Sequence, residues 1–191
     1  MRVLLLGPSH PVVEQHLQAS GDSCQRYEGP LDPELRPLQK SEFLVSYGYT
    51  HIIRPWAIER FPRRIINLHI SLLPWNRGAD PNLWSFLDST PKGVTIHMVD
   101  PGIDTGPILF QRKVTMAEDD TLRSSYHRLS GAVEALFEEH WTDIRSGQVT
   151  PRPQPQEGTL HRLRDRETVS HLLSEGWDTP VRQLIGQETG K

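Results

Sequence analysis

Short apolar runs that stop abruptly at glycine, proline or a tyrosine-glycine turn constrain this chain more than any other feature. Val3-Leu4-Leu5-Leu6 ends at Gly7-Pro8, Phe43-Leu44-Val45-Ser46 closes at Tyr47-Gly48-Tyr49, and Ile65-Ile66-Asn67-Leu68-His69 is a third such run. A short run without polar alternation reads as a strand buried on both faces, as in parallel sheets. Between the runs, residues 10–19 suit a helix presenting Val12, Val13 and Leu17 inward. Residues 55–60 suit a brief helix, and Cys24 to Tyr27 a weak second strand. Three prolines between Gly29 and Pro37 argue against a regular element there. Strands alternating with helices imply an α/β chain with an open, mostly parallel, Rossmann-like sheet and flanking helices, which binds ligands beyond the carboxyl ends of its strands.

Farther along, Pro81 to Asp88 reads as a helix with Asp80 as N-cap and proline at the first helical position. Residues 93–99 and 107–111 flank a turn-rich loop and form a hairpin or two neighbouring strands. From 119 to 146, Leu122, Tyr126, Leu129, Val133, Phe137, Trp141 and Ile144 recur every three or four residues, the pattern of a long amphipathic helix that Gly147 ends. Pro151-Arg152-Pro153-Gln154-Pro155 reads as a stiff linker. The polar tail, 158–191, has Leu172, Leu173, Trp177, Leu184 and Ile185 as apolar anchors, and is expected to wrap back onto the domain or to pair with another subunit. The expected division is a catalytic domain over 1–150, with a proline-rich linker and short extension over 151–191.

A chain of 191 residues can hold one domain with a proper core. Its net charge of -3 gives no electrostatic reason for a nucleic-acid partner, since phosphate contacts need clustered positive charge. Cys24 is the single cysteine, so no intrachain disulfide can form and a reducing compartment is expected. The opening apolar run is too short for a signal peptide, and no stretch approaches the ~20 apolar residues that span a bilayer. These features point to a cytoplasmic protein without a membrane partner.

The chemistry concentrates in two segments. Positions 67 and 69 of one strand share a face, so an amide and an imidazole project together near its carboxyl end. Asp104 lies in a loop between Gly102 and Gly106, able to bring a carboxylate near that imidazole. Acyl transfer to an amine needs a donor for the carbonyl oxygen that turns negative, a base for the amine proton, and a group that orients the base. Asn67, His69 and Asp104 have the chemistry for these roles. An Asn-x-His pair is nonetheless common, and an Asp in a glycine-rich turn usually serves the turn itself, so spacing alone leaves both readings open. A metal site built from His51, His69, His97 and Asp104 matches no ligand spacing, and no metal is expected.

The string NLHISLLPWNRGADPNLWSF over 67–86, followed by TPKGVTIHMVDPGIDTGPI over 90–108, resembles the signature of the formyltransferases that use 10-formyltetrahydrofolate. The resemblance spans roughly 43–115 and implies the following. Asn67, His69 and Asp104 are the catalytic set. The folate donor lies against His51, Ile52 and Ile53 and against Val99, Asp100, Pro101, Gly102 and Ile103. Ser9, Tyr47, Tyr49, Arg77 and Trp84 are candidate acceptor contacts. Ile70 departs from the family's usual proline after the histidine but removes no reacting group. The loop after the first strand lacks the phosphate-gripping pattern of the purine enzyme. The 76–85 segment resembles the amino-sugar and peptide-synthetase branches, so a nucleotide-linked amino sugar is the expected small-molecule amine. Alternatives are an aminoacyl group on a carrier protein, glycinamide ribonucleotide, or water in a formyltetrahydrofolate hydrolase. A homodimer is left open.

Overall fold

The computed structural model describes residues 1–187. Strand β1 (Arg2–Leu6) leads to helix α1 (Pro11–Ala19), β2 (Ser23–Tyr27), α2 (Arg36–Lys40), β3 (Phe43–Tyr47), α3 (Pro55–Arg60) and β4 (Ile65–His69). There follow β5 (Arg77–Gly78), α4 (Pro81–Leu87), β6 (Gly93–Met98), β7 (Ile108–Lys113), α5 (Leu122–Ser146), β8 (Leu160–His161) and α6 (Arg166–Val169). The main sheet has the order β2-β1-β3-β4-β6-β7. Its first four strands are parallel, while β6 runs antiparallel to both β4 and β7. The chain reverses its winding direction between β1 and β3, the kind of switch point at which open sheets bind ligands.

Both faces of the parallel strands are covered, which explains their unbroken apolar character. On one face Val3, Leu5, Val45, Ile66 and Leu68 pack against Val13 and Leu17 of α1 and Leu129, Val133, Phe137 and Trp141 of α5. On the other, Leu4, Leu6, Leu44 and Ile65 pack with Leu38 and Phe61. Strand β2 lies at the edge and is largely exposed, which accounts for its weak sequence signal.

Several expectations need correction. Val12 is exposed, because the buried spacing on α1 is Val13 and Leu17, one turn apart. Tyr126 likewise falls outside the buried stripe of α5. That helix starts at 122 rather than 119, since Thr121 and Ser124 form a reciprocal capping box. Helix α2 begins among the prolines, where Pro37 lies in the first turn and forfeits no helical hydrogen bond. Asp80 precedes α4 but makes no side-chain cap; its backbone is left-handed and its carboxylate faces Arg166 at 3.9 Å.

The proline-rich segment is packed rather than a free spacer: Arg152 exchanges both backbone hydrogen bonds with Ile108. Strand β8 then pairs in parallel with β5. Beyond it, Val169, Val181 and Leu184 form a cluster with Leu83, Trp84, Phe86 and Leu122, and Leu172, Leu173 and Trp177 pack against it. Ile185 does not join them and is exposed.

Asp22 ties α5 to the turn between α1 and β2. Its fully covered carboxylate accepts from Trp141 Nε1 at 2.7 Å and from Arg145 Nη1 at 2.9 Å. Arg145 keeps access to solvent, whereas the buried Trp141 Nε1 would be left without an acceptor. Asp22→Ala is therefore expected to lower the unfolding free energy by about 1–3 kcal/mol, measured by urea denaturation; a loss within about 0.5 kcal/mol, the range of an ordinary surface substitution, would show that the tie is incidental.

Candidate active site

Strand β4 delivers Asn67 and His69 to the face that also carries Ile65. Opposite them in the antiparallel pairing stand His97 and Thr95 of β6. The loop from 99 to 107 curls back so that Asp104 meets these side chains. Its passage is close: a Cβ on Gly106 would lie 1.7 Å from the Met98 carbonyl oxygen, so only glycine fits there. Asp104 itself has φ 51°, a left-handed backbone rare outside glycine but tolerated by aspartate.

The structure brings the three sequence-predicted residues together. Asn67 Nδ2 donates to Asp104 Oδ1 at 3.1 Å and lies 3.2 Å from His97 Nε2. Gly78 N–H of β5 donates to Asp104 Oδ2 at 2.8 Å. His69 Nδ1 stands 3.7 Å from the same oxygen, too far for a hydrogen bond, and His69 Nε2 lies 3.0 Å from the carbonyl oxygen of Asn76. With Nε2–H donating to that carbonyl, a neutral His69 keeps its lone pair on Nδ1. The ring is thus held by a backbone carbonyl, and not by direct hydrogen bonding to Asp104.

Burial sets the protonation states. Desolvation pulls His69 below the ordinary imidazole value, with the Asp104 charge opposing and His97 reinforcing the shift. For Asp104, burial pushes upward, but the imidazoles of His69 and His97 and the Gly78 N–H bring it well below the usual carboxylate range. Around neutral pH the site holds a neutral base beside an ionised carboxylate.

Three contributors carried little or no sequence signal as site residues. His97 occupies a polar position in the alternation Val94-Thr95-Ile96-His97-Met98, a pattern that marks it as facing away from α5. Its Nδ1 lies 2.8 Å from the Met98 carbonyl oxygen, which leaves Nε2 to accept from Asn67. Asn76 acts through its main chain, and its side chain anchors the turn by accepting from Thr90 Oγ1 at 2.6 Å. Gln154 comes from the proline-rich segment and touches both loops of the site.

The expected folate contacts fall on two loops of one face. Ile53 and Val99 pack in the same cluster, beside Leu44 and Ile65. Ile52 is 77% exposed and Ile103 46%, so each of the two loops presents one apolar side chain to solvent. Exposed apolar side chains of this kind suit the flat face of a heterocycle. His51 is exposed, and Asp100 and Pro101 shape the loop, with Asp100 Oδ1 accepting from Gly102 N and Thr105 Oγ1.

The acceptor candidates divide. Ser9 is exposed and donates to Glu14, and the Tyr49 hydroxyl donates to the Gly29 carbonyl at 2.7 Å. A cleft of about 250 Å³ opens beside them, lined by Gly7, Pro8, Glu28, Gly48, Tyr49 and Thr50 at the switch point. Arg77 donates from Nε and Nη2 to Gln154 Oε1. Tyr47 and Trp84 do not offer free faces: Tyr47 is buried and stacked on His10, and Trp84 is buried against His161, whose Nε2 lies 2.6 Å from Asp88. Their aromatic area is spent on packing. No group of side chains suited to hold a metal ion occurs among the described residues.

A family model described as "Formyl transferase" matches residues 8–139. The formyltransferase PseJ of Anoxybacillus kamchatkensis is 51% identical, with a TM-score of 0.94 covering 97% of this chain and 98% of that one; its crystal structure holds UDP-4,6-dideoxy-4-formamido-L-AltNAc and tetrahydrofolate. Methionyl-tRNA formyltransferase of Pelobacter propionicus is 31% identical over 78% of this chain and 46% of its own length. The dTDP-4-amino-4,6-dideoxyglucose formyltransferase of Mycobacterium bovis is 36% identical over 60% of this chain and 51% of its own. The chain thus spans about half the length of the curated relatives it matches.

Proposed function

The chain belongs to the formyl transferase family, and from that premise we propose that it moves the formyl group of 10-formyltetrahydrofolate onto the primary amine of a nucleotide-linked amino sugar, a UDP-linked 4-amino-4,6-dideoxyhexose. The observation that carries the chemistry is the convergence of Asn67, a neutral His69 and an ionised Asp104. The identity of 51%, extending over nearly the whole of both chains, supports the acceptor class. A formamide at C4 is what formylation of the corresponding amine produces.

The folate supplies the carbonyl carbon and carries away the nitrogen that leaves it. His69 Nδ1 takes the proton that the attacking amine must lose, and Asp104, 3.7 Å away, stabilises the resulting imidazolium. Asn67 turns one N–H from Asp104 or His97 towards the carbonyl oxygen as it becomes negative. As the carbon–nitrogen bond of the donor breaks, His69 returns its proton to the leaving nitrogen, so protons balance over the cycle. Ile52, Ile53 and the loop 99–103 hold the donor, and Arg77 retains Nη1 for a phosphate oxygen. Residues 1–150 form the catalytic unit, and the extension that follows packs against it through Arg152, β8 and the cluster of Val169, Val181 and Leu184. We place the reaction in the cytoplasm, whose reducing conditions suit both a reduced folate and the free Cys24 thiol.

The test is a transfer assay on the purified chain with 10-formyltetrahydrofolate and the UDP-linked amine. Tetrahydrofolate should form only when the amine is present, with a product heavier by one carbonyl group. Comparable turnover without amine would instead identify a hydrolase.

A further inference from the structure

We propose that Gln154, from the extension, is a positioning residue for formyl transfer: its side-chain amide locks the Asp104 loop and the Arg77 loop into one unit, keeping the Asp104 carboxylate against Asn67 and His69. Gln154 Nε2 donates to the carbonyl oxygens of Asp104 at 2.7 Å and of Gly106 at 2.8 Å. Its Oε1 accepts from Arg77 Nε at 3.1 Å and from Nη2 at 2.8 Å. Both amide hydrogens and both oxygen lone pairs are thereby used.

The lock matters because of what it restrains. Asp104 sits in the left-handed region, which a non-glycine residue leaves readily unless neighbouring groups hold it. Pro101 to Ile103 and Thr105 are exposed, so little packing immobilises the loop. Its carboxylate is held through Gly78 N–H, which belongs to the very segment that Arg77 begins. That segment is itself fastened to the extension, with Arg77 N donating to Thr159 O and Ala79 N to His161 O. Gln154 therefore joins the two halves of the clamp around one carboxylate.

Releasing the clamp would let Asp104 drift from His69. The groups facing the His69 imidazole are the Asp104 carboxylate, the Asn76 carbonyl and the His97 ring, whose centroid is 6.2 Å away. Of these, Asp104 is the one that favours the protonated ring by its charge, so its departure leaves His69 harder to protonate. Since transfer needs the neutral ring, the acid limb of the pH–rate profile would move to lower pH while the maximum rate falls.

This inference rests on the reading of the preceding section, and one of its measurements does not. In the full-length chain, Gln154→Leu should lower kcat at saturating substrates roughly 10–100-fold, as small misplacements of reacting groups do, with the folate KM changed by less than about threefold. By NMR titration of the ligand-free protein, the His69 imidazole should titrate at lower pH in the variant than in the wild type. Gln154→Glu keeps an acceptor for Arg77 but removes both donors; it should match the leucine variant in kcat, and it replaces it in the kinetic test should that variant fail to fold. An unchanged His69 titration in the leucine variant, or a glutamate variant with wild-type kcat, overturns the role given to Gln154. A wild-type chain that transfers no formyl group would sink the transferase reading instead, while the titration still decides about Gln154.

Discussion

His69→Ala should reduce kcat/KM for formyl transfer by roughly 10²–10⁴-fold, the usual worth of a positioned general base, with the fold and the folate contacts intact. The pH dependence makes the prediction sharper. A base works in its neutral form, so the wild-type rate should fall as pH drops through the His69 pKa. Burial holds that value below the ordinary one, with Asp104 only partly compensating. The wild-type acid limb should therefore lie below about pH 6.5, the unperturbed imidazole value, and the alanine variant should lose this limb. A variant that keeps the limb while losing rate would assign the base to another group.

Asp104→Asn should be as damaging or more so, at roughly 10³–10⁴-fold in kcat by analogy with other carboxylate-supported imidazoles, although it changes one atom. The carboxylate receives N–H groups on both oxygens, from Asn67 on one and from Gly78 on the other. An amide can accept on only one side, and its NH₂ would confront a donor on the second. It also removes the negative charge that steadies a protonated His69 in a covered site. Steady-state kinetics should show the loss mainly in kcat, with circular dichroism unchanged. Wild-type kcat in this variant would remove Asp104 from the mechanism.

What could be read from residue order was whatever has a local signal. Val3 to Leu6 and Ile65 to His69 declare buried strands because every residue in each run faces cover or the site. The heptad-like recurrence along α5 declares its stripe, with Tyr126 the exception because a stripe has edges. Asn67 and His69 follow from the two-residue period of a strand. The remaining parts of the site depend on pairings between distant segments. His97 faces Asn67 only through the β4–β6 register, and Asn76 holds His69 with a main-chain carbonyl, a group every residue possesses. Trp84 was a candidate acceptor contact, yet its partner is His161, brought from 77 residues farther along the chain. Gln154 lies in a stretch whose prolines suggest a spacer, and its importance arises from the two loops it reaches.

The pairing of β5 with β8 also orders events in time. A ribosome delivers Asn67, His69 and Asp104 first; His161, which completes the β5–β8 pair, follows 57 residues after Asp104. At 5–20 residues per second that interval is roughly 3–11 s. During it β7 and α5, which complete and cover the sheet, are still being made. The last part of the frame comes with the extension, when β8 pairs with β5 and Gln154 reaches the Asp104 and Arg77 loops. A chain that stops before the extension therefore has all three reacting side chains but lacks the outer ties on the two loops around Asp104.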